Sequence, residues 1–302
     1  MTSQAVAPPL AAGAMPIDAR DAHVRWELLV VPLAVAHAVC FVLPLALFAY
    51  NAFLTMDGPA QVGKEVTLRH FAAVLFDPYY RVAFARSLTL SALTAAVTLV
   101  LGYPVAYALS RSRGRWTRVV LLILISSMFV SLVVRTLGWK TVLDENGLVG
   151  GLVARLPLVG GSLKLLNSPL GILIGLVHTE LPFMILILLP VLQSISPALE
   201  EAAAGLGAGS AVILRRVLLP LSLPGILAGS LLVFSVSMGL YVPPALLGGN
   251  LVATVPTLIY SETMVALNYP LAAALSTVLA VIVVSTVALG TAVSARFTRR
   301  LA

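Results

Sequence analysis

The chain has 302 residues, of which 60% are hydrophobic and 10% charged, with a formal net charge of +7. Soluble domains run near 45–50% apolar and about 25% charged, so this composition excludes a water-soluble globular protein and places the chain in a membrane. The positive balance does not signify nucleic-acid binding, which would interleave basic and aromatic residues on a soluble surface.

Residues 1–26 carry small residues and prolines, and Asp18 and Asp21 make them a poor secretory signal. They read as a cytoplasmic N-terminal tail. Apolar runs of about 20 residues, enough to cross a bilayer, follow at 27–50, 87–109, 119–139, 170–192, 222–247 and 271–295. They predict an all-α membrane protein with about six transmembrane helices, a membrane domain over 27–295 and a short C-terminal tail over 296–302. No run is interrupted enough to suggest a re-entrant segment, although Pro182, Pro190, Pro243 and Pro244 should kink or end their helices. The single cysteine, Cys40, excludes an intrachain disulfide and reads as a small packing residue.

Between the first two runs lies a polar, Gly- and Pro-bearing segment with room for a short helix near 66–75. Gly58, Gly63 and Lys64 imitate the start of a phosphate-cradling loop, but Glu65 stands where Ser or Thr must hold magnesium and no strand precedes it. ATP binding is therefore not expected on this chain. The link after the second run carries Arg111, Arg113, Arg115 and Arg118 without an acid, and the C-terminal tail carries Arg296, Arg299 and Arg300. Both belong on the cytoplasmic side by the positive-inside rule, which puts both termini there, and Trp26, Trp116 and Trp139 fall at run ends as an interfacial belt requires.

The fourth run contains His178, Thr179 and Glu180 before Pro182. An ionisable group at membrane depth is expensive enough to imply a role. Glu180 has two readings: a carboxylate offered to a cationic solute in a pathway, or a partner of Arg135 near the outer end of the third run. His178 reads as a packed, hydrogen-bonded residue. Gly171 with Gly175, and Gly225 with Gly229, have the spacing that lets helix backbones approach in lipid. No His-Glu-x-x-His or Ser/His pair occurs within the runs, so no catalytic residue, metal or cofactor is expected.

The polar break before the fifth run reads SISPALEEAAAGLGAGSAVILRRVLLPLSLPGI over 194–226. Ser196 and Pro197 read as N-cap and first helical position, with Glu200 and Glu201 near the first turn, where the helix dipole favours negative charge. Alanines continue the helix, and Gly205 and Gly207 offer a left-handed exit. Ser210 is placed to cap a second short helix to about Leu219, stopped by Pro220 and Pro224.

This break resembles the EAA loop of permease subunits of binding-protein-dependent ABC importers. The family pattern of Glu-Ala-Ala, three residues, Gly, nine residues, an apolar β-branched residue, one residue and Leu-Pro falls on Glu201, Ala202, Ala203, Gly207, Val217, Leu219 and Pro220. The resemblance implies a type I ABC importer permease fold, with the loop over about 194–222, Glu200 included, docking into an ATPase subunit. It further implies a second permease subunit, two ATPase subunits and an extracytoplasmic solute-binding protein as partners, in the lipid of the inner (plasma) membrane, with no nucleic acid. ATP-driven closure of the ATPases would move the Glu201-bearing helix and switch a central pathway between inward- and outward-facing states. The stretches SLVVRTLGWKTVLDENGLV, GLVHTELPFMILIL and VPPALLGGNLVATVPTLIY look like the spermidine/putrescine branch, implying a small solute such as a polyamine and a pathway touched by Arg135, His178, Glu180 and Tyr241. Where many relatives have Phe-Val-Thr-Pro before ALLGG, this chain has Tyr241, Val242, Pro243 and Pro244. An ion-coupled secondary transporter is the alternative, with Glu180 as its coupling site.

Overall fold

A computed structural model describes residues 26–112, 114–154, 164–249 and 251–301. The expected N-terminal tail lies outside the described residues except Trp26, where the first helix begins. The chain separates into two units, residues 1–47 and 48–302. The helix α1 (Trp26–Asn51), most of which belongs to the first unit, is predominantly apolar, with Glu27, His37 and Asn51 as exceptions, and contains Pro32 and Pro44. Cys40 is exposed on it, where a packed position was expected.

The second unit opens with a feature the apolar runs do not reveal. A two-stranded antiparallel hairpin, β1 (Leu54–Gly58) and β2 (Gln61–Val66), turns through Ala60 at φ +61°. Gly58 ends β1 and Lys64 lies on β2, so a strand does precede this stretch where none was expected, although Glu65 still stands at the Ser/Thr place; the expected short helix follows as α2 (Arg69–Phe76). Then come α3 (Pro78–Arg111), α4 (Arg115–Phe129), α5 (Leu132–Leu143), α6 (Leu148–Ala154) and α7 (Pro169–Ser194). The loop helices α8 (Pro197–Gly205) and α9 (Ser210–Ile213) lead into α10 (Leu219–Gly239), followed by α11 (Val255–Met264) and α12 (Tyr269–Leu301). The residues expected as a C-terminal tail thus continue α12 as far as Leu301.

Among the described residues, five helical stretches are long and apolar enough to cross a membrane: Val31–Asn51, Pro78–Arg111, Pro169–Ser194, Ser210–Gly239 and Tyr269–Ala292. The third apolar run is different. It breaks between α4 and α5, where the chain bends by 99°, so the expectation of an uninterrupted run is corrected. Val130 is extended and Ser131 leaves the helical region, with ψ 131° and 132°. Hydropathy records the cost of leaving water and is blind to the direction of the backbone, and no Pro or Gly marks the break.

Prolines act less as stops than expected. Pro182 and Pro190 lie inside α7, and the fifth span ends at Gly239, ahead of Pro243 and Pro244. Those two enter a separate π-helical turn, Pro244–Gly248, with Pro243 as its N-cap. The core is built on α3 and α7, which pack along much of their length with α10 against both. Ala95, Tyr103 and Ala106 of α3 meet Met184, Ile185 and Leu188 of α7, with Val233 of α10. A second cluster joins α2, α3, α11 and α12 around Phe84, Val255 and Leu275.

Candidate functional site

The loop over 194–222 forms as its residue types dictate at its start. Ser196 occupies the N-cap of α8 without a side-chain cap bond, Pro197 is its first residue, and Glu200 stands in its first turn. The helix ends in a Schellman turn. Gly207 takes φ +83°, and the N–H groups of Gly207 and Ala208 donate to the carbonyls of Ala204 (2.9 Å) and Ala203 (3.0 Å). A left-handed residue in this place favours glycine, which has no Cβ to strain.

The second half of the loop departs from expectation. Gly209, not Ser210, is the N-cap of α9. Nor do Pro220 and Pro224 stop the helix: Ser210–Gly239 is one continuous stretch, with Pro224 inside α10. For Pro220 the physical reason is the π-helical turn over Leu214–Leu218 immediately before it. Proline lacks an N–H and crowds the carbonyl four residues back, and the wider π-turn accommodates both effects.

The two acids of the loop part company. Glu201 and Ala202 are exposed, Ala203 is half-buried, and Leu206 is 90% exposed. Val217 and Leu219 are half-buried and Pro220 exposed at the loop's far end. Glu200 turns inward. Its carboxylate accepts hydrogen bonds from the Tyr107 hydroxyl (2.6 Å) and from Arg111 through Nε (2.8 Å) and Nη2. Arg111 also donates through Nη1 to the Leu192 carbonyl at 3.0 Å, and its guanidinium lies 5.6 Å from the centre of the Tyr107 ring. One turn further along α3, the Tyr103 hydroxyl is 3.0 Å from Ser222 Oγ on α10.

Tyr103, Tyr107 and Arg111 therefore occupy one stripe of α3 at four-residue spacing. Sequence reading gave Arg111 a topological role and missed its contact. The signal was the spacing in YPVAYALSR, but the acid it meets is 89 residues away. Hydrogen bonds to charged groups contribute about 1.5–3 kcal/mol each, so this is a firm attachment of the loop to the membrane domain. Behind it, Tyr103, Tyr107, Glu200, Ile213 and Leu218 help line an apolar cavity of about 600 Å³.

The expected pathway residues fall in two places. Arg135 on α5 and Glu180 on α7 share one interface. His178, expected to be packed and hydrogen-bonded, is instead exposed, and its ring meets that of Trp139 edge to face at a centroid distance of 5.5 Å. Glu180 is 1% exposed, and neither of its carboxylate oxygens has a hydrogen-bond partner. Nε and Nη1 of Arg135 are also buried without one. The structure gives the expected Arg135–Glu180 pairing no hydrogen bond and no ion pair among the described residues. Tyr241 lies elsewhere, stacked on Tyr260 of α11 at 4.6 Å beside a cavity of about 330 Å³.

Residues 98–299 match the family described as "Binding-protein-dependent transport system inner membrane component". The chain is 31% identical to the spermidine/putrescine transport system permease protein PotB of Haemophilus influenzae, over 83% of this chain and 88% of that one. To PotB of Escherichia coli K12 it is 30% identical over 80% and 87% of the respective chains. The inner membrane ABC transporter permease protein YdcU of the same organism is also 30% identical, over 76% and 77%. In fold, the chain is similar to a chain of a bacterial ABC transporter that imports alginate, with TM-score 0.66, 20% identity and coverage of 90% and 95%. It is also similar to one from the MetNI methionine ABC transporter, with TM-score 0.53, 19% identity and coverage of 75% and 99%.

Proposed function

The chain belongs to the family of binding-protein-dependent transport system inner membrane components, and we propose that it forms one half of a translocation pathway for a small cationic solute. It is the permease subunit of an ABC importer. The alternative, an ion-coupled secondary transporter, has no support in the family match. ATP hydrolysis belongs to separate subunits that receive α8. The observation that carries this reading is the loop's division of labour: Glu200 fastens α8 to α3, while Glu201, Ala202 and Leu206 stay exposed for a partner.

Other features support the remaining partners. An open break such as Val130–Ser131 would leave backbone groups unsatisfied in lipid and is tolerated only under protein cover. Phe129 is 85% exposed and no residue of α4 is buried, so this face awaits a second permease subunit. An extracytoplasmic solute-binding protein completes the set. The arginine-rich link at 111–118 supports a cytoplasmic place for the loop and both termini.

Two points favour a polyamine as the solute. Curated relatives are named as spermidine/putrescine permeases, and Glu180 is a buried carboxylate without a counter-ion bond, with Arg135, His178 and, at a distance, Tyr241 as further pathway residues. Affinity purification from native membranes tests the assembly. Recovery of an ATPase subunit with the tagged chain is expected. Uptake by the chain alone, driven by an ion gradient, would overturn it. Ligand identification on the solute-binding protein that copurifies tests the polyamine, and a non-cationic ligand would reject it.

A further inference from the structure

The stripe on α3 meets the loop on both sides of its turn. Arg111 and Tyr107 hold Glu200 in the first turn of α8, before Gly207, and Tyr103 meets Ser222 on α10, after it. Arg111 is also the last residue of α3 and donates to the Leu192 carbonyl in the last turn of α7. A cation at two helix C-termini and a carboxylate at a helix N-terminus are each favoured by the helix dipoles. Three helix ends are thereby joined through a single guanidinium, and two of them belong to the α3–α7 pair at the centre of the core.

We propose that Tyr107 and Arg111 are positioning residues that convert displacement of α8 into movement of the α3–α7 pair, with Tyr103 and Ser222 holding the other side of the loop in register. This relay rests on the docking reading of α8. The geometry favours it because α8 has no other polar side-chain attachment to the membrane helices among the described residues: Glu201 and Leu206 are exposed, and the turn at Gly207 has open space around it. A pull on α8 that did not pass through Glu200 would reach the core through the backbone at Ile195, or through α9 and the π-turn, where Ile213 packs against the core cluster. Rigid side-chain connections between elements with two arrangements are what carry coupling between distant sites.

The test uses the complete importer reconstituted in liposomes, with solute uptake and ATP hydrolysis measured on the same preparation. Arg111→Gln should retain the ATPase subunits and their hydrolysis while uptake falls at least tenfold, so that ATP consumed per solute rises by the same factor. Tyr107→Phe, which removes one hydrogen bond and little else, should raise that ratio about threefold. Arg111→Lys, which keeps a cation at both helix C-termini, should bring it part of the way back toward the wild-type value. An unchanged ratio in Tyr107→Phe and Arg111→Gln overturns the relay and leaves a static anchor. Should Arg111→Gln lose its ATPase subunits, an unchanged ratio in Tyr107→Phe overturns the relay by itself. A wild-type complex that holds no ATPase would sink the docking reading and the relay together, whereas failure of the variants alone sinks only the relay.

Discussion

Glu180 on α7 and Arg135 on α5 bury polar atoms where these two helices pack, and neither oxygen of the carboxyl group nor Nε and Nη1 of the guanidinium has a hydrogen-bond partner. Burying a charge without a partner costs several kcal/mol even after relaxation. A helix bundle that retains such a carboxylate holds it for something other than stability. Glu180→Gln keeps the shape and removes the charge. We expect normal subunit abundance with uptake reduced at least tenfold, which corresponds to about 1.4 kcal/mol of lost interaction with a cationic solute. Arg135→Gln, by removing the opposite charge nearby, should instead lower abundance. Quantitative immunoblots of membranes beside uptake assays check both, and wild-type uptake in Glu180→Gln would reject the pathway role.

Gly207 and Gly205 make an internal control. Gly207 has φ +83°, where a side chain costs on the order of 1–2 kcal/mol, while Gly205 has helical backbone, and both have open space where a Cβ would stand. Gly205→Ala should leave transport intact and add up to about 1 kcal/mol of helix stability. Gly207→Asp should leave the subunit in the membrane and abolish uptake, because it distorts the turn that presents Glu201 and Leu206. Uptake and ATPase copurification on the two variants side by side give the answer. Equal behaviour of the pair would remove the turn from the docking surface.

The loop was legible because its signals are local: Ser-Pro starts a helix, and Gly in the left-handed region ends one within a few residues. Its second half is less legible, because proline ordinarily stops a helix and the π-turn at Leu214–Leu218 that accommodates Pro220 leaves no mark in composition. The break at Val130–Ser131 escaped notice for the same kind of reason. Apolar runs report burial in lipid, and the chain can bend by 99° while remaining apolar. The attachment of Glu200 depends on residues 89 and 93 positions away, and such contacts are set by tertiary packing alone. Arg135 and Glu180 lie at the α5–α7 interface near His178 and Trp139, whereas Tyr241 stacks on Tyr260 elsewhere, a separation that membrane depth alone does not reveal.

Helix packing gives a graded prediction. A Cβ at Gly225 would lie 2.8 Å from Cγ2 of Val191, with its other branch and Cβ at 3.0 Å, and one at Gly229 would lie 2.8 Å from Sδ of Met184. Val191 is branched at Cβ and has few rotamers to yield, whereas methionine is unbranched and adapts. Gly225→Ala should therefore cost about 1–3 kcal/mol by overpacking and lower the melting temperature of the detergent-solubilised complex. Gly229→Ala should change it little. Thermal unfolding of both variants decides, and the opposite order would show that Val191 yields more readily than Met184.

Orientation underlies every statement about the loop, and it can be tested directly. Ser112, at the C-cap of α3, and Asn146, after α5, are both exposed, and the six-span topology expected from the apolar runs sets them on opposite sides of the membrane. The positive-inside rule puts Ser112, among Arg111, Arg115 and Arg118, in the cytoplasm and Asn146 outside. In a chain carrying Cys40→Ala, which removes the single native thiol, Ser112→Cys should resist an impermeant maleimide in intact cells and react after permeabilisation. Asn146→Cys should react in both conditions. Uptake by each variant must stay near wild type for the labelling to report the native topology, and the exposed setting of both side chains favours that. The reverse pattern would put α8 outside the cell, away from any ATPase, and would overturn the docking of Glu201 and the relay through Arg111 at once.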